Sequence, residues 1–172
     1  MLTLRPYSPE DAATIASWIR DEATMRRLAA NLYDRFPVTA DMMNKKYDSY
    51  RVSHNMVALT ALDENGTLCG HFTYLFRPEE PDNARICFVI TDDTRRGRGI
   101  GTGMMDLAVA YARETLLAKK ITLCVFANNP AARRCYRKAG FRELEPVQQI
   151  PVMDELWDRI DMVWEGRDAK WN

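Results

Sequence analysis

The sequence predicts one α/β domain spanning residues 1–172. The chain has 172 residues, of which 47% are hydrophobic and 28% are charged, and this is the composition of an ordinary globular protein. A chain of this length buries about 70% of its unfolded surface, so it needs neither disulfides nor a structural metal. Strand-like apolar runs alternate with helical patterns, and no repeat, low-complexity tract or interdomain linker separates them.

The first part of the chain predicts a strand followed by helices. Leu2 to Tyr7 alternates apolar and polar residues like a short strand. Ser8-Pro9-Glu10-Asp11 then supplies a cap, a first-turn proline and first-turn acids for a helix. From Glu22 to about Tyr50 the pattern is again helical, with a break at Phe36-Pro37. We therefore expect a group of helices before the main sheet.

The middle of the chain predicts a hairpin and a further strand. The β-rich runs 56–62 and 68–76 flank the turn residues Asp63-Glu64-Asn65-Gly66, so these runs are expected to pair. Residues 77–83 are expected to form a polar loop, and residues 84–90 a strand rich in β-branched and aromatic side chains.

The last part of the chain opens with a glycine-rich turn that leads into a long helix. The expected elements after that helix are a strand at 121–126, a helix at 130–139, and strands at 141–150 and 159–164. The order of strand, glycine-rich turn and helix is typical of sites that bind anions.

Charge and hydropathy exclude several classes of protein. The chain has 24 Lys+Arg and 24 Asp+Glu, and this balance argues against a protein that neutralises many nucleic-acid phosphates. No uncharged run approaches the length of about 18 residues that a membrane span needs, and the N-terminus has no signal-peptide pattern. We expect a cytoplasmic protein with no nucleic-acid or membrane partner.

The cysteines predict no metal site. The four cysteines stand singly, and with only two histidines in the chain they offer no zinc-ligand spacing. We expect the cysteines to be small buried thiols in a reducing compartment. The four are Cys69, Cys87, Cys124 and Cys135.

The glycine-rich turn carries glycine at every second position of residues 97–103. Glycine accepts positive φ and lets a ligand approach the backbone, so such a turn at a helix N-terminus can cradle phosphates. The alternative is a tight turn that only packs helix against strand. The Walker loop is absent, since no lysine occurs between residues 50 and 119, and the dinucleotide fingerprint lacks its third glycine where Thr102 or Met104 stands.

Two segments together resemble the GNAT superfamily of N-acetyltransferases. Arg96-Gly97-Arg98-Gly99-Ile100-Gly101 is similar to the Gln/Arg-x-x-Gly-x-Gly/Ala loop of that family. Asn129-Pro130-Ala131-Ala132-Arg133-Arg134-Cys135-Tyr136-Arg137-Lys138-Ala139-Gly140-Phe141 is similar to its Asn-x-x-Ala-x-x-x-Tyr-x-Lys-x-Gly-Phe segment. The resemblance implies the α/β (α+β) fold of acyl-CoA N-acyltransferases, with a mixed, mostly antiparallel sheet of six to seven strands flanked by helices.

The resemblance also implies acetyl-CoA as the co-substrate. The implied pyrophosphate-binding residues are Arg96, Gly97, Arg98, Gly99, Ile100, Gly101 and Thr102. Backbone groups of Phe88, Val89 and Ile90 would bind the pantetheine arm where two strands diverge, and Asn129 would add a contact. Residues 94–141 hold ten basic side chains against only Asp106 and Glu114, and this distribution suits a polyanionic cofactor as well as it suits a solvated basic face.

The implied reaction is direct transfer of an acetyl group to a primary amine of a small molecule or a protein N-terminus. In this family a tyrosine at the position of Tyr136 acts as the general acid toward the departing thiolate, and it also lies against the cofactor. From the residues alone, Tyr136 is better explained as a core aromatic at helical spacing from Ala132, and Asn129 is well explained as a helix cap before Pro130.

A general base is not identified by the sequence. Many relatives carry a glutamate on the strand before the glycine loop, and the nearest counterpart here is Arg85. Glu79, Glu80, Asp82 or His71 are alternatives, each also explained as a surface charge or a packed histidine. The missing carboxylate leaves open a second reading, a non-catalytic module that binds or senses an acyl-CoA.

The acceptor is not identified either. The family lines its acceptor side with the segment at about 22–50 and with the last strands. Residues 142–172 carry eight acids against four bases, which predicts either a solvated surface or a mouth that attracts a cationic amine. Homodimers are common in the family, but no interface is recognisable in the sequence.

Overall fold

The computed structural model describes residues 1–95 and 97–166. The strands are β1 (Thr3–Pro6), β2 (Val57–Leu62), β3 (Leu68–Arg77), β4 (Glu80–Thr91), β5 (Lys120–Phe126), β6 (Phe141–Glu143), β7 (Gln148–Val152) and β8 (Glu155–Trp164). The helices are α1 (Ala12–Ser17), α2 (Glu22–Ala29), α3 (Ala40–His54), α4 (Ile100–Glu114) and α5 (Pro130–Lys138). The strands form one sheet in the order β1-β2-β3-β4-β5-β8-β6, and β7 pairs with β8.

The predicted mixed, mostly antiparallel sheet is confirmed, because β4 and β5 pair in parallel and the other pairings in the described residues are antiparallel. In residues 1–95 and 97–166 the sheet has eight strands rather than six to seven. The stretch 141–150, expected as one strand, divides into β6 and β7, which both pair with β8. Pro146 lies between them, and since proline has no N–H to donate, a continuous ladder ends there.

The polar loop expected at 77–83 is largely wrong, because β4 already begins at Glu80. Polar partners from the start of β5 hold this segment in the sheet. Lys120 Nζ lies 3.0 Å from Glu80 Oε1, and the Thr122 hydroxyl donates to Asn83 Oδ1 at 3.0 Å. These partners lie about forty positions further along the chain. The local hydrophobicity pattern of residues 77–83 therefore gives no sign of the pairing.

Helices cover the two faces of the sheet unequally. On one face, α4 and α5 pack on β2–β5 and β8 around a core that includes Phe72, Met104 and Phe141. On the other face, α1 and α3 pack on β1–β4 around Ile15 and Tyr47. The helices on this second face pack against β1–β4. In the described residues, no helix shares a core cluster with the β5–β8 part of that face.

A buried carboxylate ties β1 to the start of α1. Asp11 is 7% exposed, and both of its oxygens accept hydrogen bonds from the Arg5 guanidinium at 2.7 Å. The Ser8 backbone N–H and the Thr60 hydroxyl donate to the same carboxylate at 3.0 and 3.1 Å. Burial alone would raise the pKa of Asp11, but these hydrogen bonds outweigh it and hold the pKa below its ordinary value.

We expect Asp11→Asn to lower the free energy of unfolding at pH 7 by about 1–3 kcal/mol, because the variant loses charge-assisted hydrogen bonds to a buried group. The folded-state pKa of Asp11 lies below the ordinary value of 3.8, so this stabilisation is present above pH 3.8 and is lost as the pH falls through the folded-state pKa. Urea unfolding at pH 7 and pH 3 measures both effects.

The matched control is Asp48→Asn, which removes an exposed Asp48–Arg51 ion pair on α3. We expect it to change the unfolding free energy by less than about 0.5 kcal/mol. The assignment would be contradicted if the difference in unfolding free energy between wild type and Asp11→Asn stayed constant from pH 7 to pH 3.

Candidate active site

The site forms where β4 and β5 part. The two strands are paired from Asn83–Ile86 of β4 and Lys120–Leu123 of β5. β4 then continues to Thr91, and its edge toward β5 has no strand partner in the described residues after Ile86. Backbone groups on such an edge can bind an extended ligand as a further strand.

A β-bulge at Phe88 and Val89 lies on this open edge. Between the pairs Thr73–Cys87 and His71–Ile90, β4 carries one residue more than β3. Phe88 has a φ of 55°, which is unusual for a non-glycine residue, and the bulge accounts for it.

The bulge also changes the face on which Phe88 lies. Strict alternation would place it with Ile86 on the α4 face, but its ring packs against Tyr33 and Tyr47 on the other face, with ring centroids 6.0 and 5.9 Å apart. The neighbouring Val89 packs against the α4-side core instead. The backbone therefore turns within the open edge, and the site lies between the two layers of helices.

The glycine-rich turn has features that suit both of the roles that the sequence left open. Gly97 and Gly99 have φ values of 79° and 75°, and a Cβ at either would meet no atom within 4 Å. A Cβ at Gly101 would lie 3.3 Å from Cys135 Sγ, and one at Gly103 would lie 3.2 Å from Leu2 Cδ1. The first two glycines are therefore open to a ligand, and the last two let α4 pack closely.

The turn leads directly into the N-terminus of the 15-residue helix α4, with Gly99 as its N-cap. Arg98 is exposed beside it, and Ile100 and Thr102 lie half-buried in the first turn. The first amides of a helix and the helix dipole favour an anion at this position. Arg96, also expected to bind the cofactor, lies outside the described residues.

Helix α5 places Tyr136 beneath the parting strands. Asn129 is the N-cap of α5, and its Oδ1 accepts from the Ala132 N–H at 3.3 Å, so the capping role is confirmed. Tyr136 is 7% exposed, and its ring meets Phe141 edge-on with centroids 6.4 Å apart. Its hydroxyl has no hydrogen-bond partner among the described residues. The hydroxyl oxygen is also not one of the fully buried polar atoms that lack a partner, so it keeps some solvent exposure.

Burial raises the pKa of Tyr136 above its ordinary value, and the thiols of Cys135, Cys124 and Cys87 raise it further. The phenol is therefore protonated at neutral pH. Cys87 and Cys124 are the first residues after the last parallel pair of β4 and β5, so both stand at the point where the strands part. The sequence analysis considered these cysteines only as buried thiols, because their proximity depends on the β4–β5 register.

Of the expected base candidates, only His71 lies beside the bulge, opposite Ile90, and the acidic candidates lie away from it. His71 is fully buried, its Nε2 lies 2.7 Å from the Tyr47 hydroxyl, and burial lowers its pKa to about 3. Glu80 and Asp82 are held by Lys120 and Lys119 at the start of β4. Asp82 is six residues from the bulge, which corresponds to about 20 Å of extended strand. Glu79 lies in the turn between β3 and β4.

Arg85, the counterpart of the glutamate found in relatives, lies in an ion-pair cluster. Its Nη2 is 3.1 Å from Asp161 Oδ1, and Asp161 Oδ2 is 2.9 Å from Arg159 Nη2. The register places Asp161 opposite Cys124 on β5, so the cluster lies beside the parting strands. The sequence analysis missed Arg159 and Asp161, whose only signal is their alternation along the last strand.

No group of three or more His, Cys, Asp or Glu side chains in residues 1–95 and 97–166 is arranged to hold a metal ion. None of the helices in that part of the chain is long and apolar enough to cross a membrane.

A family model described as the acetyltransferase (GNAT) family matches residues 14–141, well over half of the chain. The chain belongs to this family. The match includes the parting strands, the glycine-rich turn and α5 up to Phe141, so the family resemblance seen in the sequence and the expectation of an acetyltransferase are confirmed.

Solved structures of N-acetyltransferases share the fold. A chimera of the Vibrio cholerae spermidine N-acetyltransferase and hSSAT aligns with a TM-score of 0.76 at 21% identity, over 95% of this chain and 94% of that chain. The Vibrio cholerae spermidine N-acetyltransferase in complex with CoA and spermine aligns with a TM-score of 0.72 at 20% identity, over 94% of each chain. A structure assigned as a phosphinothricin N-acetyltransferase gives 0.74 at 20% identity, over 96% of this chain and 98% of that chain.

We expect the ring signals of His71 in NMR spectra to stay at their neutral-imidazole positions from pH 8 to pH 5, because its pKa is lowered to about 3 by burial. The same histidine in the urea-unfolded protein should titrate near pH 6.5. A midpoint between pH 6 and pH 7 in the folded protein would show that His71 is accessible to protons and would restore it as a base candidate.

Proposed function

We propose that this protein is a single-domain N-acetyltransferase that transfers the acetyl group of acetyl-CoA to a primary amine of a small molecule or a protein N-terminus. The observation that carries the proposal is the open, bulged edge of β4, which runs from the point where β4 and β5 part to the glycine-rich turn. When bound, acetyl-CoA supplies the thioester that a neutral amine attacks. We also propose a reducing, cytoplasmic setting, which the four free cysteines support.

The glycine-rich turn fits the pyrophosphate of the cofactor. Gly97 and Gly99 leave open space beside the backbone where a side chain would otherwise stand. The amides from Gly97 to Thr102 surround the N-terminus of α4, where the helix dipole adds to their attraction for an anion. Arg98 is exposed and adds a positive charge beside them. Asn129 caps α5 through Oδ1, and its side-chain nitrogen donates no hydrogen bond within the described residues.

The open edge of β4 fits the pantetheine arm. Backbone groups of Phe88, Val89 and Ile90 would bind its amides by strand addition, because β5 no longer pairs with β4 there. The bulge turns one backbone amide out of the regular ladder. A fixed N–H directed at an oxygen that becomes negative contributes about 3–4 kcal/mol to lowering a barrier.

Tyr136 fits the role of proton donor to the departing thiolate. The thiolate that departs comes from a thiol with a pKa of about 8.5, which is above neutral pH. An acid positioned to protonate this thiolate therefore helps it leave. Burial raises the pKa of Tyr136, so the hydroxyl keeps its proton at neutral pH. No described residue forms a hydrogen bond with that hydroxyl.

We expect Gly99→Asp to abolish the thermal stabilisation that saturating acetyl-CoA gives the wild type, about 2.7 kcal/mol at 100 times its dissociation constant. The variant places a side chain and a negative charge in the space beside the helix N-terminus. Differential scanning fluorimetry, with ATP and NAD as comparison ligands, measures the shift.

The control is Gly66→Asp in the β2–β3 turn. Gly66 has the same φ of 75° and also has no atom within 4 Å of a Cβ, so the two variants carry equal backbone strain. Gly66→Asp should therefore lower stability but keep the full shift with acetyl-CoA. A full shift in Gly99→Asp would overturn the placement of the cofactor.

We expect Tyr136→Phe to slow thiol release by about tenfold or more while the affinity for acetyl-CoA holds, because the variant removes the acid and keeps the ring. Tyr111→Phe, which alters a tyrosine stacked on Tyr74 in the α4-side core, is the control and should keep wild-type turnover. Unchanged turnover in Tyr136→Phe would remove this residue from the mechanism, and binding without thiol release for any amine would favour the acyl-CoA-sensing alternative.

A further inference from the structure

We propose that the acceptor is an amine that also carries a carboxylate, and that Arg85 and Arg159 bind this carboxylate. This inference rests on the proposed function and names the substrate class of the same site. It concerns the sheet face on which α1–α3 pack, at the point where β4 and β5 part.

Two guanidinium groups share one carboxylate there. Asp161 accepts from Arg85 at 3.1 Å and from Arg159 at 2.9 Å, and the three side chains are only 17–25% exposed. Arg159 also donates to Gln148 Oε1 at 2.7 Å. The other carboxylates on β4, those of Glu80 and Asp82, are held by Lys120 and Lys119. The cluster therefore keeps one net positive charge in a half-buried place.

The cluster also keeps unused hydrogen-bond donors. A guanidinium has five N–H groups, and in the described residues Arg85 directs one terminal nitrogen to Asp161 and also acts on the Cys87 thiol through a hydrogen bond, so further N–H groups remain. Arg159 Nε is sealed from solvent and has no partner among the described residues. A second carboxylate on the two arginines would take these donors and neutralise the remaining charge, which is the arrangement that guanidinium groups favour.

The position of Arg85 suits an acceptor group. Arg85 precedes the bulge at Phe88 by three residues, which is about 10 Å of strand. Between them stands Cys87, whose pKa is raised to about 12 by burial and by Cys124, while Arg85 opposes that rise. The cluster thus lies at the closed end of the opening, about 10 Å of strand from the bulge.

The surrounding surface predicts an apolar body for the acceptor. Phe126 lies opposite Arg159 in the β5–β8 register, and its ring meets Trp157 edge-on with centroids 5.1 Å apart. Asn31, after α2, donates to Pro151 O at 2.9 Å and accepts from the Met153 N–H at 3.3 Å. The loop after α2 is therefore tied to the β7–β8 turn.

The positive cluster has a second effect on the amine. A nearby cation lowers the pKa of an ammonium group, so it raises the neutral fraction that can attack a thioester. Arg85 would thereby favour deprotonation at a site where the relatives' glutamate is missing. An acceptor with several ammonium groups would be repelled by the same charge.

The test compares each of the twenty L-amino acids with its carboxamide, and with spermidine, as acceptors for the wild-type protein with acetyl-CoA. Thiol release gives kcat/KM, and calorimetry on the CoA-loaded protein gives binding without turnover. We expect at least one amino acid with an apolar side chain to exceed its carboxamide by tenfold or more in kcat/KM and in affinity.

Variants of the cluster carry the assignment. Arg85→Gln and Arg159→Gln should each reduce the preference for the acid over the carboxamide by about tenfold, and Arg85→Lys should restore part of it. The double variant Arg85→Gln/Asp161→Asn removes one arginine together with the shared carboxylate, so the cluster keeps its net charge and the effect of Arg85 itself is measured. Arg51→Gln, which breaks the Arg51–Asp48 pair on α3, is the control and should keep the preference.

Three outcomes overturn the inference. One is equal or better use of the carboxamides or of spermidine, which would leave the proposed function standing. Another is a preference for acids that both arginine variants retain. The third is the absence of calorimetric binding for every amino acid to the CoA-loaded wild type, and this result decides the inference even where no amine is acetylated and the proposed function fails.

Discussion

The site depends on one constraint, the parallel pairing of β4 and β5 over a stretch of only four residues in an otherwise antiparallel sheet. A parallel neighbour requires a crossover, and the crossover here is the glycine-rich turn and α4. The turn therefore starts where β4 ends, beside the part of its edge that β5 has left. An anion site at a helix N-terminus and an unpaired strand edge thus become continuous.

The bulge at Phe88 connects this opening to both layers of helices. It sends Phe88 to the side of Tyr33 and Tyr47 and leaves Val89 on the α4 side, so one backbone turn is packed from two directions. Such packing from both faces stabilises a φ that a phenylalanine otherwise avoids. The backbone amides of the open edge are therefore held by the core rather than by a mobile loop.

Positive charge lies on both faces of the opening. The α4 face carries the exposed Arg98 and the N-terminus of α4, and the opposite face carries Arg85 and Arg159 around Asp161. Several of the acids near the C-terminus that suggested a cationic acceptor are paired with arginines, since Glu143 is bound by Arg133 and Asp161 by Arg85. The local charge at the cluster of Arg85, Asp161 and Arg159 is therefore positive, although the composition of residues 142–172 is acidic.

The sequence by itself determined the fold class, the glycine-rich turn, the cap at Asn129 and the position of Tyr136, because these depend on local patterns and on motifs of fixed spacing. It placed β4 too late, joined β6 to β7, and could not assign the cluster of Arg85, Arg159 and Asp161. Those features depend on partners distant along the chain, such as Lys120 for Glu80 and Asp161 for Arg85. Only the tertiary structure decides them, since strand register determines which distant side chains meet.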